Sequence, residues 1–106
     1  FYTYYTGQIT SVEETEPVPT TYKLEQNFPN PFNPSTSIRY SVTSYQFVSL
    51  KVYDVLGKEI ATIVNERKPA GNHKVVFDAT KLPSGLYFYR IKAANFSQTK
   101  KMLLVK

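Results

Sequence analysis

Hydrophobic and polar residues alternate with a period of two through most of the chain after residue 21. Such alternation places apolar side chains on one face of a β-strand and polar side chains on the other. It predicts about seven short strands, divided by glycine, proline, asparagine and charged residues, over residues 22–26, 36–42, 47–55, 58–64, 72–78, 86–94 and 98–106. No stretch of about ten residues has the spacing of an amphipathic helix.

The pattern also predicts which strand faces lie in the core. In residues 72–78, Val75 and Phe77 share a face with His73. The inward sets of the other strands are Thr36, Ile38, Tyr40 and Val42; Val48, Leu50 and Val52; and Tyr87, Tyr89 and Ile91. The last set is chosen because the opposite face of that strand carries Arg90 and Lys92. In residues 58–64 the pattern does not decide between Ile60 with Val64 and Ala61 with Ile63.

Short strands at this spacing are typical of two packed sheets. We therefore predict an all-β fold: an immunoglobulin-like two-sheet antiparallel sandwich of about seven strands, preceded by an extra N-terminal strand and a linker. A chain of 106 residues forms at most one domain with a tail. The sequence lacks the Cys pair and the Trp of antibody domains, so the prediction concerns architecture only.

The first 21 residues differ in composition from the rest. Residues 1–12 are predicted to be the terminal strand of a preceding domain or a swapped strand, which makes a homodimer through residues 1–12 possible. Residues 13–21 are predicted to be an acidic, proline-containing linker, and residues 22–106 to be the C-terminal sandwich. Because the sequence begins with Phe1 and not Met, we expect it to be a piece of a longer protein.

Charge is divided unevenly between these parts. Residues 1–21 hold three Glu and no Lys or Arg, whereas residues 22–106 hold 13 basic and 5 acidic residues, a net charge of +8. A surface this basic attracts anionic lipopolysaccharide, nucleic acid or an acidic partner. Lysine on exposed strands also protects a sheet against edge-to-edge aggregation, and charge alone favours that second interpretation.

Prolines and asparagines are concentrated between Asn27 and Thr36. Three prolines in six residues exclude a helix, because each fixes φ and removes an N–H group. Asn30 and Asn33 precede prolines, where their side chains can bond nearby backbone and start a turn. We expect Phe28 and Phe32 to be apolar anchors. These residue types favour a turn clamped against one end of the sandwich.

Four further connections are predicted. Residues 54–57 form a turn in which Gly57 has a positive φ, residues 65–71 a charged loop, residues 79–85 a crossover, and residues 94–97 a hairpin turn.

Residue types used in catalysis and metal binding are scarce. The chain has no Cys and a single histidine, His73, with no partner resembling a catalytic triad. Asp54 and Asp78 each end a strand, where stabilising a turn is the expected role. Neither an Asp-rich calcium loop nor a glycine-rich phosphate loop occurs. We predict no catalytic, cofactor-binding or metal-binding residues, no cofactor, and no enzymatic activity.

Aromatic residues alternate with a cation in Tyr87-Phe88-Tyr89-Arg90. A strand sends these rings to opposite faces of the sheet, so about half of them belong to the core. A base-stacking platform is therefore not expected, and we predict no nucleic-acid partner.

Four segments carry a resemblance to a known family. They are Asn27–Tyr40 (NFPNPFNPSTSIRY), Val48–Glu59 (VSLKVYDVLGKE), Leu82–Arg90 (LPSGLYFYR) and Lys100–Lys106 (KKMLLVK). In this order and spacing they resemble the type A C-terminal sorting domains of the type IX secretion system, found on exported proteins of Bacteroidetes-like bacteria. The resemblance covers roughly residues 22–106.

The resemblance implies a function, a location and partners. The module would direct an attached catalytic or binding domain through the periplasm of a Gram-negative bacterium and the type IX outer-membrane translocon, to be secreted or held at the cell surface. A sortase-like peptidase would remove the module near the linker before Tyr22. The family's motifs fall on Pro29, Asn30, Pro31 and Phe32; on Leu82, Gly85 and Tyr87; and on Lys100, Lys101 and Lys106.

A second function stays open at this stage. The module would instead be an accessory adhesive or carbohydrate-binding β-sandwich of an extracellular enzyme. Polysaccharide binding that is lost on Tyr→Ala substitution would favour it. A sorting module must stand at the extreme C-terminus, and Lys106 after Met102-Leu103-Leu104-Val105 fits a natural end.

Overall fold

The computed structural model describes residues 18–106, which form seven strands and no helix. The strands are β1 Lys23–Leu24, β2 Ser35–Val42, β3 Gln46–Tyr53, β4 Glu59–Lys68, β5 Gly71–Asp78, β6 Gly85–Ala93 and β7 Phe96–Leu104. The strand and the homodimer contact predicted for residues 1–12, and linker residues 13–17, lie outside the described residues. The described part contains no helix that would cross a membrane.

Two antiparallel sheets make up the sandwich. One has three strands in the order β1-β2-β5, and the other has four in the order β4-β3-β6-β7. The prediction of an all-β, immunoglobulin-like sandwich is confirmed. Because β4 pairs with β3 while β5 pairs with β2, the chain changes sheet at Pro69 and Ala70.

The core lies between the inner faces of the two sheets, and the predicted inward sets are confirmed. Ile38, Val42, Val48, Leu50, Val52, Tyr89 and Ile91 have no exposed surface, and Thr36, Tyr40 and Tyr87 are also buried. On β5, Phe77 is buried and Val75 is half-buried, whereas their neighbour Val76 is exposed. Full burial of each large apolar side chain contributes about 1.5–3 kcal/mol, so these faces supply most of the driving force for folding.

The structure of β4 explains why the sequence pattern does not decide which face of residues 58–64 is buried. Val64 lies opposite Leu50 and Ala61 opposite Val52, but the register shifts once between these pairs and again between Val52 and Tyr53. Each shift inserts an extra residue, as in a β-bulge, and so exchanges the faces of the residues that follow. Val64 is buried, while Ile60, Ala61 and Ile63 are all half-buried against the core. Neither predicted pair is therefore wholly inward.

The charged loop predicted over residues 65–71 is wrong. Strand β4 continues to Lys68, and Glu66, Arg67 and Lys68 pair with Val48, Phe47 and Gln46. Edge strands tolerate charge because one side meets solvent. The Lys68 ammonium lies 2.8 Å from the Glu66 carboxylate, and the Arg67 guanidinium lies over the Tyr45 ring. The first predicted strand, residues 22–26, is shorter in the structure: β1 covers only Lys23–Leu24, although the Glu25 N–H still bonds the Arg39 carbonyl of β2 at 3.0 Å.

The predicted turn roles of two aspartates are confirmed. Asp54 Oδ1 accepts hydrogen bonds from the backbone N–H groups of Leu56 and Lys58, both at 2.9 Å, and Gly57 has a φ of +83°. Asp78 Oδ1 accepts the Thr80 N–H at 2.9 Å. The hairpin turn between β6 and β7 is tighter than predicted, because Ala93 already pairs with Phe96.

Candidate functional site

The proline-rich segment, residues 27–34, crosses from one sheet to the other. Phe28 exchanges two backbone hydrogen bonds with Ser37 of β2, at 2.9 and 2.8 Å. Four residues later, Phe32 N–H donates to the Leu103 carbonyl at 2.9 Å, and the Phe32 carbonyl accepts the Val105 N–H at 3.0 Å. The second contact is a parallel bridge to the end of β7. The segment thus closes one side of the sandwich.

Side chains of the same region cover the remaining outward-facing groups at this end of β7. Asn30 Oδ1 accepts the Leu103 N–H at 3.0 Å, and the Gln26 amide donates to the Lys101 carbonyl at 2.7 Å. Asn30 thus bonds backbone 73 residues away, where the sequence predicted a bond to nearby backbone. Pro31, next to Phe32, has no N–H to offer a further strand, so the prolines end the sheet here.

Asn27 is a buried polar residue with all its side-chain groups bonded. It is 2% exposed. Its amide nitrogen donates to the Pro29 carbonyl at 3.1 Å and to the Thr36 hydroxyl at 3.0 Å, and its Oδ1 accepts from Gln26 at 2.6 Å. The Thr36 hydroxyl in turn donates to the Pro29 carbonyl at 2.9 Å. Such a satisfied network fixes the start of the segment in one conformation.

Tyr89 joins this network from the opposite sheet. Its hydroxyl donates to the Glu25 carbonyl at 2.7 Å and accepts the Asn27 backbone N–H at 2.8 Å, with 62 residues between the partners of the second bond. Burial raises the pKa of Tyr89 to about 12, and the bond from Asn27 opposes that shift. The neutral phenol is therefore the form that the fold stabilises.

This raised pKa predicts a loss of stability at alkaline pH. A free tyrosine ionises near 10.0, so between that pH and about 12 the unfolded chain loses the proton while the folded chain keeps it. Ionisation of Tyr89 is expected to leave the free energy of unfolding unchanged below pH 10. As the pH rises from 10 to 12, it is expected to lower that free energy. Urea titrations of the wild type and of Tyr89→Phe test this, because the other tyrosines and lysines titrate in both.

Tyr89→Phe also leaves the buried Asn27 N–H and the part-buried Glu25 carbonyl without their partner, so it is expected to be about 1–3 kcal/mol less stable at neutral pH. That gap should narrow between pH 10 and 12. A gap that stays constant over this range would contradict the argument.

The last residue of the sequence is held by the loop between β5 and β6. Lys106 N–H donates to the Ser84 hydroxyl at 3.0 Å, and the Lys106 ammonium donates to the Thr80 carbonyl at 2.5 Å. Hydrogen bonds from the Thr80 hydroxyl and N–H lower the pKa of Asp78, and the Lys106 charge lowers it further. The Tyr87 hydroxyl donates to the Pro83 carbonyl at 2.6 Å, which fixes the loop from within.

Most of the predicted motif residues meet at this end of the sandwich, which we call the motif end: residues 27–34, 79–87 and 101–106. Gly85 pairs with Leu104, and Tyr87 pairs with Met102. A shallow depression of about 220 Å³ is lined by Asn30, Leu86, Lys101, Met102 and Leu103. Lys100 departs from the group, because it pairs with Tyr89 nearer the middle of β7 and is half-buried.

Apolar residues are also exposed at the motif end. Phe28 is 78% exposed, and Leu86, Leu103 and Val105 are exposed as well. The expectation that Phe28 is buried as an anchor is wrong, whereas Phe32 is buried and confirms it. Alternation does not explain the difference, because residues four positions apart in a strand share a face. The segment instead turns between the two sheets and has no regular period.

His73 has a structural environment. Its Nε2–H donates to the Pro69 carbonyl at 2.8 Å, and its ring stacks on Tyr40 with the centroids 5.2 Å apart. Among residues 18–106, no three His, Cys, Asp or Glu side chains gather as they would to hold a metal ion.

Sequence reasoning missed four participants: Gln26, Asn27, Thr36 and Ser84. Each has a small or amide side chain. Residues of these types are also common in exposed turns, so the sequence does not distinguish the two environments. The one hint of an ordered segment in the sequence was residues 26–37, which carry no charge and contain two aromatic residues and three prolines.

The fold and the motif end together define an immunoglobulin-like module. The end of its chain is hydrogen-bonded to the proline-rich segment and to the loop between β5 and β6. Comparison with models of protein families matches residues 26–106 to the Secretion system C-terminal sorting domain. The chain belongs to this family, and its resemblance to type IX sorting domains is confirmed. The family is defined by a sorting signal, which marks proteins exported to the cell surface or secreted.

Among solved structures, the chain is similar to dimeric latent PorU from Porphyromonas gingivalis. The TM-score is 0.63 at 20% identity, over 81% of this chain and 10% of that one. The chain therefore spans only a small part of the protein it matches, and the likeness shows the fold alone. No curated protein matches the chain.

Proposed function

We propose that residues 22–106 sort an attached protein for export by presenting the motif end to the type IX outer-membrane translocon. One observation carries this proposal: Leu103, Val105 and Lys106 are hydrogen-bonded to the proline-rich segment on one side and to the loop before β6 on the other. Segments far apart in sequence thus share one surface. Pro29 to Phe32, Leu82, Gly85, Tyr87 and Lys106 are the proposed sorting residues. Phe32 and Tyr87 are buried, so they would shape this surface from within.

The chemistry of the motif end suits recognition by another protein. It combines exposed apolar side chains with the cations Lys101 and Lys106, around a depression whose floor includes the buried Met102. Apolar contact supplies most of the binding free energy at such surfaces, and charge sets orientation and the rate of encounter. We assign Lys101 and Lys106 this orienting role, with Lys100 as a more distant contributor.

The peptide bond cut by a sortase-like peptidase is proposed to lie in the acidic linker before Tyr22. Residues 18–21 form no strand, and Thr20 and Thr21 are exposed. Proline keeps such a linker extended and free of sheet pairing, which suits entry into a peptidase cleft. Cleavage there would release the preceding domain, to which residues 1–12 are proposed to belong, at the surface or into the medium.

The proposal is tested with a fusion of the full 106 residues behind a periplasm-targeted reporter in a type IX-competent bacterium. The informative variant lacks Val105 and Lys106. It keeps the buried Met102 and Leu104 but loses the bonds to Phe32, Ser84 and Thr80. The matched control is Lys92→Ala, which removes a cation from β6 at a distance from the motif end.

We expect the intact fusion and Lys92→Ala to reach the medium or the cell surface and the shortened fusion to stay in the periplasm. Protease resistance of each fusion checks that the module has folded. Retention of the intact, folded fusion would contradict the sorting function. A polysaccharide pull-down would then test the carbohydrate-binding alternative.

A further inference from the structure

Phe28 is a large aromatic residue held out into solvent. Its 78% exposure contrasts with 2% for Phe32, four residues along the same segment. A ring at such a position gives the fold little stability, because most of its surface stays in water. Its presence is therefore better explained by a contact with something outside the chain.

The backbone that carries this ring is tightly fixed. The N–H and carbonyl of Phe28 both bond to Ser37, at 2.9 and 2.8 Å. On one side stands the buried Asn27, whose amide bonds to the Pro29 carbonyl on the other side. A side chain on a fixed backbone loses little entropy when it binds, so Phe28 is preorganised as an anchor.

The segment that carries Phe28 has no charged side chain of its own. Pro29 and Pro31 are exposed beside it, and no charged residue occurs between Gln26 and Ile38. The rest of the module is strongly basic, with a net charge of +8 over residues 22–106. Anionic lipid or nucleic acid would be held through cations, which this segment lacks. A neutral pocket on a protein is the better match.

We propose that Phe28 inserts into an apolar, uncharged pocket on a protein component of the export machinery and is a main anchor of that contact. This inference rests on the proposed sorting function and names a residue outside the motif positions assigned to it. Phe28 adjoins Pro29 to Phe32, so the pocket would be continuous with the surface that reads the motif end. Exposed aromatic residues of this kind are common binding hot spots.

The first test measures export of the 106-residue fusion with Phe28→Ala, Phe28→Tyr or Tyr45→Ala. Tyr45 is the matched control, because it is 66% exposed and lies in the turn at the opposite end of β2. We expect Phe28→Ala to slow export by about tenfold or more, as for loss of a hot spot. Tyr45→Ala should be exported like the wild type, and Phe28→Tyr should fall between the wild type and Phe28→Ala, because an apolar pocket offers the added hydroxyl no hydrogen-bond partner.

Thermal midpoints of the purified variants separate binding from folding. Phe28→Ala should change the midpoint by no more than about 3 °C, because it removes an exposed side chain. The second test places a photo-crosslinking phenylalanine analogue at position 28 or 45 in cells. A position-28 adduct with one protein of the type IX machinery, absent for position 45, is the expected result.

Each other result overturns the proposal in a distinguishable way. Export of Phe28→Ala at the wild-type rate removes Phe28 as an anchor while leaving the sorting function intact. An adduct with a second copy of the chain or with lipid assigns the ring to a different partner. Retention of the wild-type fusion in the periplasm defeats the sorting function and this contact together.

Discussion

Replacing Phe32 by alanine is expected to lower the free energy of unfolding by about 3–5 kcal/mol. The ring is 2% exposed and packs against Phe77, with the centroids 6.5 Å apart. Its removal opens a cavity where the proline-rich segment meets the core. For a domain whose total stability is about 5–15 kcal/mol, that is a large part of the whole. Urea denaturation of the full chain measures it.

Phe28→Ala is the matched control within the same segment. It deletes the same atoms from an exposed position and should change stability by less than about 0.5 kcal/mol. Equal losses for the two variants would mean that burial of Phe32 is not what holds the segment. The pair also separates roles, since we expect Phe32→Ala to impair folding and Phe28→Ala to impair export.

Replacing Asn27 by aspartate is expected to cost about 2–4 kcal/mol at pH 7. The amide donates to the Pro29 carbonyl, which can only accept, so a carboxylate at this place turns an attraction into a repulsion. Thr36 loses a donor as well. Chemical denaturation of Asn27→Asp measures the loss, with Asn95→Asp as a control that adds the same charge in the exposed hairpin turn.

The Asn27→Asp defect should also depend on pH. Burial and nearby carbonyls would raise the pKa of the new carboxyl above its ordinary value of about 3.9. The variant then loses stability relative to the wild type as pH rises above about 4, and regains part of it in acid. A difference between Asn27→Asp and Asn95→Asp that is the same at pH 4 and pH 7 would count against a buried carboxylate.

Strand positions and core faces were readable from the sequence because a period of two is a local property. The residues on either side of Ile38 and Tyr40, or of Val48 and Leu50, are enough to predict which face these side chains occupy. Where the local rule fails, the structure shows a local reason. The two register shifts in β4 break the alternation, and its charged end resembles a loop in sequence because edge strands and loops share composition.

The motif end was less predictable, because its contacts join residues that no local pattern connects. Resemblance to a family marked Pro29 to Phe32 and Lys106 as important, but nothing in the sequence places Asn30 on Leu103 or Ser84 on Lys106. The exposure of Phe28 and the burial of Asn27 reverse what their hydrophobicity suggests. Such reversals are decided by tertiary packing around an irregular segment.

The position of Phe32 has a consequence for when the motif end can form during synthesis of the chain. Its backbone hydrogen-bond partners are Leu103 and Val105, and the Asn30 side chain bonds to the same part of the chain, 73 residues later in the sequence. A ribosome delivers the proline-rich segment early and these partners late, and long-range contacts of this kind form slowly. Chains broken off before residue 103 can never assemble the motif end. The motif end can therefore form only in polypeptides that have been synthesised through β7.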